Sequence, residues 1–113
     1  MLNGTDAASL TNTSHPTFLV SMTCLNGAFQ NPDLPALTES MMKATGGAVA
    51  TWASTGFTYP NDQKVLTSGL YASLYSGAHP RVGVAVQSAF SGSHDMNDLR
   101  TWALMGDPAL RIR

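Results

Sequence analysis

The sequence predicts an α/β fold built on a mostly parallel sheet, with only half of that sheet present. Three observations carry this reading. Two short segments, 17–23 and 47–53, are almost continuously apolar, as strands covered on both faces are. Each is followed by helical patterning, the order expected of a sheet layered by helices. Charged side chains make up 12% of the 113 residues against 43% hydrophobic, about half the usual share of charge. So little charge suits a piece of a larger domain, or a face covered by a partner.

Residues 1–16 are polar, rich in Ser, Thr and Asn, and read as a connector. An αβ half-domain then occupies 17–113, so 1–113 is one partial domain and not two. After Pro16, the run Thr17-Phe18-Leu19-Val20-Ser21-Met22-Thr23 is a buried strand ending at Cys24. Residues 25–32 form a loop. Asp33 is placed to cap a helix starting near Pro35, with Leu37, Met41, Met42 and Ala44 as its apolar face. Gly46-Gly47 stops it, and the second strand covers 47–53, apolar except at Thr51.

A loop leads to Asn61, placed to cap a longer helix with Val65, Leu66, Leu70, Tyr71 and Leu74 at helical spacing, closed by Gly77. A third helix spans 81–90, with Val82, Ala85, Val86 and Ala89 on one side. A fourth helical stretch starts at Asp95 or Asn97 and runs through Leu99, Trp102 and Leu104. Gly106-Asp107-Pro108 makes a tight turn, and 109–113 a terminal strand. Two firm strands cannot cover both faces and edges of a sheet, so an apolar edge ready for self-association is expected.

Six basic against seven acidic side chains leave no footprint for nucleic acid or anionic lipid, so neither nucleic acid nor a membrane is an expected partner. No apolar run reaches the roughly 18 residues a membrane span needs. The first ten residues lack the basic start and apolar stretch of a signal peptide. There is no Cys-x-x-Cys, no His-x-x-x-His and no carboxylate cluster in a loop, so neither a metal nor another cofactor is expected.

Cys24 is the lone cysteine, which excludes an internal disulfide. Such a residue is either a small buried hydrophobe or a nucleophile. Its place favours the second, because ligands of open parallel sheets bind at the carboxyl ends of the strands. Leu25-Asn26-Gly27 lets the backbone turn sharply, and N–H groups in such a turn can face the oxyanion of an acyl transfer.

The thiol also needs a base. His15 lies at the far end of the same strand, roughly 25–30 Å away at about 3.3 Å per residue. His79 sits in a link between helices, and His94 in the flexible Ser91-Gly92-Ser93-His94-Asp95 segment. None is a convincing partner. Glu39 either complements its helix dipole or anchors the N–H groups of the Cys24 loop. Asp107 either bonds its own backbone or contacts a cation. Trp52 and Trp102 read as core aromatics rather than ligand stackers.

Three stretches in order, FLVSMTCLNGAF, PALTESMMKATGGAVATWASTGFT and TWALMGDPALRIR, closely resemble the C-terminal half of gingipain-family cysteine peptidase domains. The resemblance runs from about residue 5 to residue 113. It implies a three-layer αβα caspase-like sandwich and a Cys–His dyad. Cys24, within the matched Thr23-Cys24-Leu25-Asn26-Gly27, takes the place of the catalytic cysteine.

The family's histidine lies on the preceding strand, in a His-Gly motif that also helps form the oxyanion hole. No His-Gly pair occurs in this sequence, so a missing N-terminal half-domain is the expected source of the histidine. The loop after the second strand, with Thr55, Gly56, Thr58 and Tyr59, is the expected border of the substrate groove, where a polypeptide strand could pair with its backbone. Glu39 and Asp107 are expected structural supports.

The function implied is cysteine endopeptidase activity of the complete domain, with negligible turnover by this chain alone. The alternative is an inactive caspase-like binding or scaffold module. Family members are mostly secreted or surface-attached bacterial proteins, which implies an extracellular or cell-surface setting.

Overall fold

A computed structural model describes residues 2–112. Along the chain come α1 (Gly4–Ala8), β1 (Thr17–Ser21), α2 (Leu37–Lys43), β2 (Ala48–Ser54), α3 (Pro60–Leu74), α4 (Val82–Ser91), α5 (Met96–Thr101) and β3 (Trp102–Gly106). β1 and β2 pair in parallel, with Val20 opposite Trp52 and Ser21 opposite Ala53. β3 adds to the other side of β2 in antiparallel sense, with Leu104 opposite Trp52 and Met105 opposite Thr51. Among the described residues the strand order is therefore β1-β2-β3, and β2, flanked on both sides, is buried from Ala50 to Ser54.

Alternation along the strands sends Phe18, Val20, Trp52, Trp102 and Leu104 to one face. There α3 and α4 cover them with Leu66, Leu70, Val82, Ala85, Val86 and Ala89. Trp52 is fully buried, meets Phe90 edge-on at 5.8 Å between ring centroids and lies 4.7 Å from Trp102. Both indoles are core residues. Thr51 and Ala53 point to the opposite face and are also fully buried. α2 packs on β2 there, with Thr38 and Met41 turned inward. Helices on both faces give the α/β layering that the two apolar strands demand.

Several elements differ from the sequence-based expectation. The stretch 1–16 contains the short helix α1. Asn3 Oδ1 accepts from the N–H groups of Thr5 and Asp6, and the Asp6 carboxylate returns a bond to the Asn3 N–H at 2.9 Å. Asp33 does not cap α2. Its N–H donates to Asn31 Oδ1, while Glu39 reaches back to the Ala36 N–H at 2.9 Å and the helix starts only at Leu37. Asn61 does not cap α3 either. Pro60 opens that helix, since its preset φ suits the first helical position. α3 ends at Leu74, before Gly77.

The largest differences lie near the C-terminus. The fourth helix, α5, stops at Thr101, so Trp102 and Leu104 belong to a strand. Their spacing fits either period, and the free edge of β2 decides it by offering a ladder from Ser54 back to Ala50. Residues 109–112 do not form a strand: Arg111 makes a single bridge to Arg81, and Arg113 lies outside the described residues. Gly106 ends β3 at φ +119°, where a Cβ would sit 2.8 Å from the Cβ of Ala50. Glycine is required there on both counts.

Candidate active site

Just beyond β1 the chain turns at Cys24, at the carboxyl end of the strand. The turn is built tightly. Leu25 takes φ +65°, uncommon for a residue with a bulky side chain. Its N–H donates to the Gly56 carbonyl at 3.2 Å, and the Gly27 N–H donates to the Ser54 carbonyl at 2.9 Å. A Cβ on Gly27 would lie 3.0 Å from the carbonyl oxygen of Ala53, which explains the glycine. The Asn26 carbonyl accepts from both the N–H and the hydroxyl of Thr38, at 3.1 and 3.0 Å. The Asn26 side-chain amide donates to Ser21 Oγ at 2.7 Å. The loop is thus pinned to β1, β2 and the first turn of α2.

Among the described residues, the hydrogen-bond partners of the partly buried Cys24 thiol all belong to Thr58. The thiol donates to the Thr58 carbonyl at 3.2 Å and receives the Thr58 N–H at 3.4 Å. Thr58 Oγ1 lies 3.8 Å from the sulfur and accepts from the Gln63 side-chain amide at 2.6 Å. That amide proton fills one lone pair of Oγ1, which leaves the hydroxyl proton free to point at the sulfur. The thiol is thus bracketed by the backbone and side chain of one residue.

Of the sequence-predicted site residues, Cys24, Leu25, Asn26, Gly27, Gly56 and Thr58 converge on this turn. The N–H groups of Leu25 and Gly27, expected as oxyanion donors, are spent on β2 and the loop after it. Among the described residues, the N–H groups of Cys24 and of Asn26, the remaining residue of the expected oxyanion loop, have no hydrogen-bond acceptor. Thr55 faces away from the thiol: its N–H and hydroxyl both bind the Thr101 carbonyl, at 2.8 and 2.9 Å. The Gly56 N–H binds Ser54 Oγ at 3.2 Å. The backbone of 55–56 is therefore already occupied, and little of it is left for an incoming strand. Tyr59 and Phe57 flank Thr58 and are 73% and 76% exposed.

Glu39 does not reach the Cys24 loop. Its carboxylate holds the Ala36 N–H and pairs with Lys43 Nζ at 3.6 Å, so it serves the start of α2. Asp107 bonds the Ala109 N–H at 2.8 Å within its own turn. His15 bonds its neighbour Ser14, the backbone carbonyl of His79 accepts from the Arg111 guanidinium, and none of the three histidines contacts Cys24. No group of three potential metal ligands occurs among the described residues.

Two features were not anticipated from the sequence. Gln63 stands in the inward stripe of α3 with Leu66, Thr67 and Leu70, a polar residue at helical core spacing. That misplaced polarity was its signal. α5 clamps the loop after β2 from outside, with Asn97 donating to the Phe57 carbonyl at 2.7 Å and the Thr101 carbonyl receiving Thr55. Inside this clamp, Asp98 is buried and neither carboxylate oxygen has a hydrogen-bond partner. Burial, then Asp62, then Asp95 raise its pKa above the ordinary aspartate value. The nearby Ser93 hydroxyl, outside hydrogen-bond geometry, works the other way.

The model of peptidase family C25 matches residues 1–113. Two solved structures are similar. One is the Arg-specific cysteine proteinase gingipain R (RgpB), 26% identical with a TM-score of 0.78. The match covers 98% of this chain and 29% of that one. The other is the complex of Porphyromonas gingivalis RgpB pro- and mature domains, 25% identical with a TM-score of 0.81. It covers 98% of this chain and 30% of its counterpart. The chain thus spans under a third of the length of the solved chains it resembles. No curated protein matches it by sequence.

Proposed function

The chain belongs to peptidase family C25, and from that premise we propose that it forms the nucleophile half of a cysteine endopeptidase domain. The carrying observation is the place of Cys24: at the carboxyl end of β1, on a pinned turn, with Thr58 as donor to its sulfur. Cys24 attacks the scissile carbonyl of a polypeptide, and a histidine from a segment outside this chain takes the thiol proton. The oxyanion that forms falls to the N–H groups of Cys24 and Asn26, since those of Leu25 and Gly27 have other duties. Asn26 and Gly27 act by holding the turn, Glu39 and Asp107 by holding α2 and the last turn. Thr58 and Tyr59 border the groove.

The inactive-module alternative draws on one observation, that no described histidine touches Cys24. A strand followed by His-Gly about 30 residues upstream of Cys24, one crossover away, decides for the peptidase. The reading places the complete protein outside the cell or on the surface of a bacterium. No described helix is long and apolar enough to cross a membrane.

A thiol-directed active-site probe followed by mass spectrometry tests the proposal, applied to this chain and to a version extended upstream. Fast labelling of Cys24 is expected only in the extended version. Equal, slow labelling in both, no faster than an ordinary thiol, would overturn it.

A further inference from the structure

α5 is only six residues long, Met96–Thr101, too short to hold its shape without tertiary contacts. What it leans on is the loop after β2. The Asn97 side-chain amide donates to the Phe57 carbonyl at 2.7 Å, and the Thr101 carbonyl accepts from the N–H and hydroxyl of Thr55. A Cβ on Gly56 would lie 2.8 Å from Thr101 Cγ2, so helix and loop are in close contact. Directly after Phe57 comes Thr58, the residue that contacts the Cys24 sulfur.

Asp98 stands in this seat, between Asn97 and Thr101 on α5. It is 1% exposed, and neither carboxylate oxygen has a hydrogen-bond partner among the described residues. A protonated carboxyl tolerates such a place, whereas an ionised one gives up its hydration with nothing in return. The charges that face it add to this cost. Asp62 faces it from the first turn of α3 and Asp95 from the start of α5, and both are acidic. Asp95 is fixed there, its Oδ1 accepting from the N–H groups of Asn97 and Asp98. The third facing group is the Ser93 hydroxyl, and residues 54–58 of the loop carry no acid or base.

The two ends of α5 are held unequally. Its last residue runs straight into β3, where Trp102 pairs with Ser54 of β2. Its first turn follows the short 92–95 link from α4 and is tied to the loop by Asn97. Outward movement therefore breaks the bond from Asn97 to Phe57 first.

We infer that Asp98 is a pH-sensitive latch on the Cys24 site. Protonated, it seats α5 on the loop that carries Thr58. Ionised, it lifts the first turn of α5, frees the Phe57 carbonyl and loosens the hold of Thr58 on the thiol. The direction follows from burial: the closed form holds the proton more tightly than the open one, so opening grows as pH rises through the Asp98 titration.

The test is hydrogen exchange of the full-length protein, read by mass spectrometry on peptides covering 95–101 and corrected for the intrinsic pH dependence of exchange. Protection there should fall between the ordinary aspartate range and neutral pH, by about tenfold for each unit by which closure raises the Asp98 pKa. Peptides of β2 should stay protected. Asp98→Asn should abolish the fall, and Asp62→Asn should move it to lower pH, because a facing negative charge is gone. Alkylation of Cys24 reports the other end of the latch. Parent and Asp98→Asn should react equally in acid, and the parent at least about fivefold faster at neutral pH, the lower end of ordinary coupling between sites. Protection independent of pH, or a fall that survives in Asp98→Asn, would overturn the latch. A fall in protection with equal alkylation rates at every pH would overturn its link to the thiol.

Discussion

The Gln63 side-chain amide donates to Thr58 Oγ1 at 2.6 Å, and through Thr58 it sets the surroundings of the Cys24 sulfur. Gln63 is itself held, its carbonyl accepting from the Thr67 hydroxyl at 2.7 Å. One turn of α3 thus fixes the loop that contacts the thiol. Replacing Gln63 by Ala removes a buried hydrogen bond and leaves Thr58 Oγ1 short of a donor. A stability loss of about 1–3 kcal/mol is expected, read by urea denaturation. The rate of Cys24 alkylation should change in the same variant, which a purely structural role for Gln63 would not produce.

Leu25 holds a left-handed backbone conformation at φ +65°, which costs a residue with a side chain roughly 1–2 kcal/mol. Leu25→Gly removes that strain but adds chain entropy to the unfolded state, so its net effect on stability should be small. Leu25→Val places a β-branched side chain in the same conformation and should be the less stable of the two by at least about 1 kcal/mol. Equilibrium denaturation of the pair checks the order. Equal stabilities would show that the turn relaxes in solution.

The pH dependence follows from Asp98. Its carboxyl is raised above the ordinary aspartate value by burial, Asp62 and Asp95. The folded protein therefore holds this proton more tightly than the unfolded chain does. The associated stability is fully present below the ordinary aspartate range and is lost as pH rises through the raised value. Asp98→Asn removes this titration. The variant should match the parent in acid and exceed it in melting temperature at neutral pH. A variant less stable than the parent at neutral pH would show that the carboxylate has a favourable partner in solution.

β1 has a paired neighbour on one side only among the described residues. An edge of this kind offers unpaired N–H and carbonyl groups to another strand. The 113-residue chain alone should self-associate, with a sedimentation coefficient that rises with concentration. A version extended upstream should not. A clean monomer across the concentration series would contradict the exposed edge.

The path from sequence to site was legible where the signal is local. Segments 17–23 and 47–53 are legible as strands from their runs of apolar side chains, although β1 ends at Ser21 and, at the sheet edge, is only partly buried rather than covered on both faces. Cys24 stands at the end of the first by simple adjacency. The stripe of Leu66 and Leu70 marks α3 in the same way. The caps were less legible, since Asp33, Asn61 and Pro60 all offer acceptable helix starts and only the incoming chain direction selects among them.

By itself the sequence determined the strand that delivers Cys24, the helices that cover the sheet, and the absence of a His-Gly pair in this stretch. Tertiary structure decided the rest. Trp102 and Leu104 became strand because β2 had an edge to fill, which no local period encodes. Leu25 and Gly27 lost their N–H groups to the carbonyls of Gly56 and Ser54 respectively, far along the chain. Thr58 became the neighbour of the thiol, and Gln63 the neighbour of Thr58, only in the folded chain. Contacts between residues distant in sequence depend on the whole fold, and the chemistry at Cys24 is made of such contacts.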